Sequence, residues 1–448
     1  MFECFGTLSQ HGHSLTTNQM GKVHNNKPLA RLITDTLMPI IDTQRLIDDL
    51  KTLRSFGAKD QGVVRRSFSS IDMASRQWLV EKMTDAGLHA RIDGVGNVIG
   101  QSSNSGKAML IGSHTDTQPT GGWLDGAMGV IYGLEVARAL RESDETKELA
   151  VDVASWIDEE GTYVGLLGSL SFCGDLPHDA IATGVDATGR TLTDALEQAG
   201  LTGRPVAKLD PERYVGYLEA HIEQGPYLEA QGKRIGIVTS IIGMRDFDLV
   251  FKGQQNHAGT TPMSLRRDAG AGLIKFAHTV TEGIRARAGE RTVYTIGNVN
   301  FVPGAASIIP GEARMILQFR DPQESKLDEL EFFVRELLDR FNNEEKVSVT
   351  MAGRANDAQS AAMDEGFQQH FSRAAQCHAP DNWVSMPSGA AHDAQVLAKH
   401  MRAGMLFVPS IGGISHDFAE DTSEEDIALG CQVMTSAVAT ILLEDQAN

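Results

Sequence analysis

The chain has 448 residues, 41% of them apolar, enough for a large core and two or three domains. A formal net charge of -19, from 59 acidic against 40 basic side chains, argues against nucleic acid or an anionic membrane as a partner, since both select a basic face. Cys4, Cys173, Cys377 and Cys431 lie far apart without a CxxC pair, and no run approaches the roughly 18 apolar residues of a membrane span, so buried thiols and a cytoplasmic location are expected rather than a disulfide framework or a zinc ribbon.

Residues 1–37 are polar, include His11, His13 and His24, and lack the apolar stretch of a signal peptide; they read as a disordered extension. From about residue 38 the pattern turns helical, with Leu46, Ile47, Leu50 and Leu53 on one face. A second helix follows Ser70, places Trp78, Leu79 and Met83 together and stops at Gly87. Ala108–Ile111 is a continuous apolar run of the kind a buried parallel strand shows, and His114 follows it. Gly126–Leu140 has helical periodicity, and Leu149–Ile157 is a second buried strand that ends at Asp158-Glu159-Glu160. This alternation predicts an α/β fold: a mostly parallel sheet with helices on both faces, spanning 38–240.

Residues 241–352 change character. Phe247, Leu249 and Phe251 alternate, a helix is expected near Ser264–Ala288 and a strand over Thr292–Val299. Ala313, Met315, Leu317 and Phe319 alternate again, which sends Arg314, Gln318 and Arg320 to the other face. A helix over Lys326–Phe341 and a strand through Val347, Val349 and Met351 complete a two-layer α+β domain inserted into the larger one. The α/β pattern resumes over 353–448, with Met405–Val408 as a strand before the Gly412-Gly413 loop and His416.

Acidic and histidine clusters close the apolar runs: His114-Thr-Asp116 with Asp125 behind, Glu159-Glu160, His221 and His416. A pair of divalent ions ~3.5–4 Å apart requires a bridging carboxylate and further nitrogen and oxygen ligands on each side. Asp125, before the glycine that opens a helix, suits the bridge; His114 suits one ion, Glu160 the other, and Glu159 the general base. Asp116 suits a hold on the second nitrogen of His114. Taken singly each piece has a bland reading. An acidic pair is more often a solvated helix face, and His221, His392 and His416 are each as easily structural. Their conjunction at strand ends beside glycine-rich turns is what points to metal chemistry.

The runs GSHTDT, LDGAMG, DEEGT, HIEQGP, NHAGTTPM and GGISHD, ordered over about residues 40 to 440, resemble the M20-type metallohydrolases. Within these they are closest to the hydantoinase/carbamoylase group, which includes N-carbamoyl-L-amino acid hydrolases, ureidopropionases and allantoate amidohydrolases. The resemblance implies a dinuclear catalytic domain with an inserted lid and dimerisation domain. It implies that one ion takes His114, Asp125 and His221 and the other Asp125, Glu160 and His416, with Glu159 as base. It also implies that His257 reaches a neighbouring active site in a homodimer and steadies the oxyanion, and that Gln224, Asn256, Ser307, Arg320 and His392 meet substrate. The implied reaction cleaves the C–N bond of a small ureido or carbamoyl compound, an N-carbamoyl-L-amino acid or allantoate. The metal stays open among Zn, Mn, Co and Ni.

Three positions depart from the family pattern. Ser307, thirteen residues before Arg320, replaces an asparagine that usually grips the substrate carboxylate. Leu170 replaces an arginine common in relatives, and Ala391 replaces the second glycine of an SGAGHDA run. These keep open an N-acyl-amino-acid amidase or dipeptidase of the same fold. A catalytically silent binder is the reading from another class, and retention of Glu159 and of every implied metal ligand speaks against it.

Overall fold

The computed structural model describes residues 38–353 and 358–447; the expectation for residues 1–37 lies outside them. Helix α1 (Thr43–Ser55) begins where the Asp42 carboxylate accepts the N–H of Arg45, and it buries Leu46, Ile47, Leu50 and Leu53, the face its spacing predicts. A short pair, β1 (Ala58–Lys59) and β2 (Gly62–Val63), leads to α2 (Ser70–Asp85), capped by Ser69 and closed before Gly87 at φ +86°. Strands β3 (His89–Ile92) and β4 (Val98–Gln101) form a hairpin. Then come β5 (Ala108–His114), α3 (Ala127–Glu142), β6 (Ala150–Trp156), α4 (Leu167–Cys173), β7 (Tyr214–Ile222) and β8 (Ile235–Ile241).

After Ile241 the chain builds a separate four-stranded sheet. Its strands are β9 (Gly243–Lys252), β11 (Val293–Val302), β13 (Glu312–Asp321) and β14 (Ser348–Gly353), in the order β11-β13-β9-β14, all antiparallel. A two-stranded ladder, β10 (Asn256–His257) with β12 (Ile308–Ile309), stands beside it. Phe247, Leu249, Phe251, Ala313, Met315, Leu317 and Phe319 are all 0% exposed and pack on helices α5 (Ala269–Arg285) and α6 (Glu324–Glu344). Each such side chain contributes about 1.5–3 kcal/mol. Helix α5 starts later than its apolar pattern suggests, because Asp268 caps the N–H groups of Gly270 and Ala271 and a 3-10 turn at Met263–Leu265 precedes it. The strand expected over Thr292–Val299 runs on to Val302 as the sheet's edge.

The chain then returns through β15 (Ala361–Ala362), α7 (Glu365–His378), β16 (Trp383–Ser388), α8 (Asp393–Leu397), β17 (Ala403–Val408) and α9 (Glu424–Gln446). The large sheet has the order β15-β8-β17-β7-β5-β6-β4-β3, with β16 also on β8. Its centre, β17-β7-β5-β6, is parallel. The pairings of β4 with β6, of β8 with β17 and of β15 with β8 are antiparallel, so the parallel set expected from the alternation is flanked by antiparallel strands.

Neighbouring residues of β5 point to opposite faces. Met109 and Ile111 join one core with α1, α3 and α9, while Ala108 and Leu110 join a second with Phe172 and Val396. Helix α3 buries every residue from Ala127 to Leu140. Helix α9 has the length and apolarity to cross a membrane, contrary to the expectation that no stretch would, but most of its apolar stretch is inside the fold, where α3 and α7 pack against it. Of the described cysteines Cys431 is buried, Cys173 half-buried and Cys377 exposed, so the expected burial of thiols holds only in part.

Candidate metal centre

The four parallel strands deliver the candidate residues at their carboxyl ends. His114 is the last residue of β5, Glu159 and Glu160 follow β6, His221 is next to last in β7, and His416 lies on the loop after β17. Strand and helix ends leave carbonyls unpaired, and two buried arginines satisfy several of them. Arg65 donates to the carbonyls of Thr115 (2.7 Å), Leu53 and Phe56, and burial pushes its guanidinium down to about 10. Arg76, paired with Asp72, donates to the carbonyls of Gly96, Ser155 and Trp156.

Asp125 is placed by Gly126, which opens α3 at φ +63°; a Cβ there would stand 2.3 Å from the His114 ring, so only glycine fits. The two oxygens of Asp125 face different partners. Oδ1 lies 3.1 Å from His221 Nε2 and 3.5 Å from His114 Nε2, while Oδ2 lies 3.3 Å from His416 Nε2. Glu160 Oε1 is 3.7 Å from His416 Nε2, and Glu159 Oε2 is 3.6 Å from His114 Nε2. Two triads result, His114/Asp125/His221 and Asp125/Glu160/His416, each with its ligand atoms within 4.8 Å of one another.

This donor set fits divalent cations. The Nδ1–H groups of His114 and His221 donate to the carbonyls of Asp116 (3.0 Å) and Ile222 (2.9 Å), so Nε2 is the ring atom turned toward Asp125, and loss of its proton frees a lone pair there for a cation. Glu160 Oε1 is buried without a hydrogen-bond partner, the condition of a ligand atom aimed into its site.

Crowding shifts the acids and bases strongly. Burial opposes charge on Asp125, yet hydrogen bonds from His114, His221 and His416 hold it well below the carboxylate range. Burial likewise opposes charge on His114, but Glu159, Asp125 and Asp116 raise it well above 6.5. The hydrogen bond to Asp125 lifts His416 to about 9. Burial, followed by Asp125, lifts Glu160 to about 7. Burial also lifts Glu159 well above its ordinary value, with Glu160, Asp393 and Asp116 adding to it and His114 opposing.

One sequence expectation is corrected. Asp116 holds His114 through its backbone carbonyl. Its carboxylate stays 3.8 Å from the ring and instead accepts the N–H of Glu160 at 3.2 Å, which leaves the carbonyl as the partner of His114 Nδ1. His392, a substrate contact by the resemblance, is 1% exposed; Ser388 Oγ engages it at 2.9 Å, and its ring lies 4.6 Å from that of His221.

Gln224 does reach the cluster, with Nε2 donating to Asp125 Oδ2 and Ser415 Oγ, each at 3.2 Å. On the inserted domain His257, Asn256 and Ser307 are exposed, and the β10–β12 ladder sets His257 opposite Ile308, next to Ser307. His257 Nδ1 accepts N–H bonds from Gly259 (3.0 Å) and Thr260 (3.2 Å), which puts the ring proton on Nε2. Arg320 is half-buried on the polar face of β13. Leu170 packs at the margin of the second core, and Ala391 is exposed.

Two supporting residues escaped the sequence reading. The Asp158 carboxylate accepts the N–H groups of Thr162, Tyr163 and Val164 and so fixes the loop bearing Glu159 and Glu160. Its place in the acidic run was visible, but its role was not. Glu420 Oε1 accepts the N–H groups of Leu124 (3.3 Å) and Asp125 (3.1 Å), and Oε2 accepts Ser415 Oγ (2.9 Å). Asp158, Gln224 and His416 also share left-handed backbone, φ +58°, +56° and +55°, a conformation that costs about 1–3 kcal/mol each and clusters at functional sites.

An α/β sheet that gathers imidazoles and carboxylates in this way defines a metal-dependent hydrolase. The chain belongs to peptidase family M20/M25/M40, which matches residues 110–440. It is 34% identical over 408 residues to the N-carbamoyl-L-amino acid amidohydrolase of Geobacillus stearothermophilus, covering 89% of this chain and 98% of that one. It is 32% identical over 403 residues to the allantoate amidohydrolase of Escherichia coli strain K12, covering 87% and 96%. The crystal structure of an amidase of the hydantoinase/carbamoylase family from Burkholderia phymatum is similar with a TM-score of 0.85 and 52% identity, covering 91% of this chain and 100% of that one. The resemblance read from the six motifs therefore stands, and the chain is a hydrolase of this family.

Proposed function

We propose that this enzyme hydrolyses the C–N bond of a small ureido or carbamoyl compound bearing a carboxylate, an N-carbamoyl-L-amino acid or allantoate, with two divalent ions as cofactors. The observation that carries the two-ion reading is Asp125, which turns one oxygen toward His114 and His221 and the other toward His416. Zn fits the mixed imidazole and carboxylate donors, as do Mn, Co and Ni. Such ions supply Lewis acidity and lower the pKa of a bound water.

The chain's own groups do the rest. Glu159, raised by burial and beside His114, takes a proton from the attacking water and returns it to the leaving nitrogen, a role worth about 10²–10⁴ in rate. His257, with its proton on Nε2, donates to the oxyanion that develops in the transition state. Gln224 projects toward the same place from its contact with Asp125. Arg320 forms a charge-assisted clamp on the substrate carboxylate. Water and an N-carbamoyl amino acid give the free amino acid, carbon dioxide and ammonia. The inserted domain serves as lid and as homodimer contact: its edge strand β11 exposes Val293, Val299 and Val302, an edge suited to pairing with a second copy. Unpaired thiols suit a cytoplasmic location.

Ammonia release by metal-loaded protein from N-carbamoyl-L-amino acids, 3-ureidopropionate and allantoate, run beside free amino-acid release from N-acyl amino acids and dipeptides, tests the assignment. Turnover of a ureido compound is expected. Glu159→Gln should keep its metal and lose at least about a hundredfold in kcat. Turnover confined to acyl or peptide substrates would overturn the carbamoyl assignment and leave the metal site standing.

A further inference from the structure

The polar face of the lid sheet carries a short relay that ends at Arg320. Gln318 and Arg320 are two residues apart on β13 and so share a face, opposite Leu317 and Phe319, which are 0% exposed. Gln318 pairs directly across the sheet with Asp246 of β9. Asp246 Oδ1 accepts the Gln318 Nε2–H at 2.7 Å, and Gln318 Oε1 accepts the Arg320 Nε–H at 2.7 Å.

The direction of this relay follows from the chemistry of its ends. An ionised carboxylate only accepts and a guanidinium only donates. Asp246 therefore takes the amide NH₂ of Gln318 and leaves the carbonyl for Arg320, so the amide cannot flip without losing both bonds. With Nε engaged, the guanidinium plane is fixed and its terminal edge, Nη1 and Nη2, is left for another partner. Among the described residues Arg320 has no carboxylate within ion-pair distance and no second hydrogen bond. A half-buried guanidinium thus keeps its full charge while its orientation is set by a neutral amide. A glutamate at 318 would cancel the charge and, having no N–H to give, would lose the bond to Asp246.

We propose that Gln318, braced by Asp246, is a positioning residue that aims the terminal N–H pair of Arg320 at a substrate carboxylate and thereby sets the enzyme's preference for carboxylate-bearing over uncharged substrates. This rests on the reading of Arg320 as the carboxylate clamp.

The test is the ratio of kcat/KM for an N-carbamoyl-L-amino acid to that for its C-terminal carboxamide, in wild type, Gln318→Leu, Gln318→Glu and Arg320→Ala. Wild type should favour the carboxylate. Gln318→Leu should cut the ratio about tenfold through KM, since a bidentate clamp loses its preset plane. Gln318→Glu should cut it further, because the new carboxylate pairs with Arg320 in competition with the substrate's and is repelled by Asp246, and it gives a second reading of the ratio should the leucine variant fail to fold. Equal losses on both substrates would mean a merely structural role and would overturn the proposal. A ratio that survives both Gln318 variants but collapses in Arg320→Ala would overturn it while the clamp stands. A ratio that survives Arg320→Ala, or turnover confined to uncharged substrates, would remove the clamp and this proposal together.

Discussion

Asp125 carries more of this site than any other side chain, and its geometry depends on a neighbour with no side chain at all. Gly126 occupies left-handed backbone with the His114 ring against it, so an added methyl meets the ring at 2.3 Å. Gly126→Ala should therefore push His114 away from Asp125 before it disturbs the core. We expect metal affinity, read by competition with a chromophoric chelator, to fall by at least about tenfold, in the range seen when groups that orient metal ligands are removed. Unchanged affinity would show that the His114–Asp125 approach is not part of the metal site. At this scale the six motifs made most of the candidate ligands legible, because chemistry depends on residue type. Which atom of Asp116 holds His114 was not legible, since a carbonyl and a carboxylate on one residue look alike in sequence. The burial of His392 depends on packing between α8 and β17 that no local pattern announces.

At the scale of elements, the loop from β17 to α9 is the least regular part of the site and the part that brings His416. It is pinned by Glu420, which is 1% exposed, accepts from Leu124 and Asp125 at one oxygen and from Ser415 at the other, and fits because position 122 is glycine. Removing this carboxylate leaves buried N–H donors unsatisfied, at about 1–3 kcal/mol each. Glu420→Ala should lower the melting temperature by several degrees and loosen Asp125 and His416 together, so both metal affinity and stability should drop. Glu420→Gln keeps one acceptor oxygen and should fall between. A Glu420→Ala protein with wild-type melting and wild-type metal affinity would refute the coupling. Glu420 could not be found from sequence because its partners lie nearly three hundred residues away. Elements with strong local periodicity, α1, β5 and β13, were legible for the opposite reason. The antiparallel strands β3, β4 and β8 were not, because direction within a sheet is settled by which strand lies alongside.

For the whole molecule, the cost of gathering so many ionisable groups predicts how metal and pH act together. Without an ion, Glu160 and Glu420 are raised to about 7, chiefly by burial, and His416 to about 9 by its hydrogen bond to Asp125. Each of these groups binds its proton more tightly in the folded chain than in the unfolded one. Stability falls with rising pH wherever the folded state holds more protons. The two glutamates lose their contribution as pH rises through about 7, and His416 loses its contribution as pH rises through about 9. His392 is depressed by burial and acts in the opposite sense, but only at and below its ordinary value of 6.5. From 4.5, the ordinary glutamate value, up to about 9 the metal-free protein should therefore lose stability, through the two glutamates up to about 7 and through His416 beyond it. Divalent ions bind the deprotonated ligands and displace these protons, so their stabilisation should grow over the same window. Ion at one hundred times its dissociation constant adds about 2.7 kcal/mol. Scanning calorimetry of metal-free and metal-loaded protein at pH values spanning the window should show the two melting temperatures diverging as pH rises, and a weakly buffered titration should show proton release on metal addition. Parallel melting curves with no proton release would mean that the histidines and carboxylates gathered at the sheet's carboxyl edge are not the groups that hold the metal.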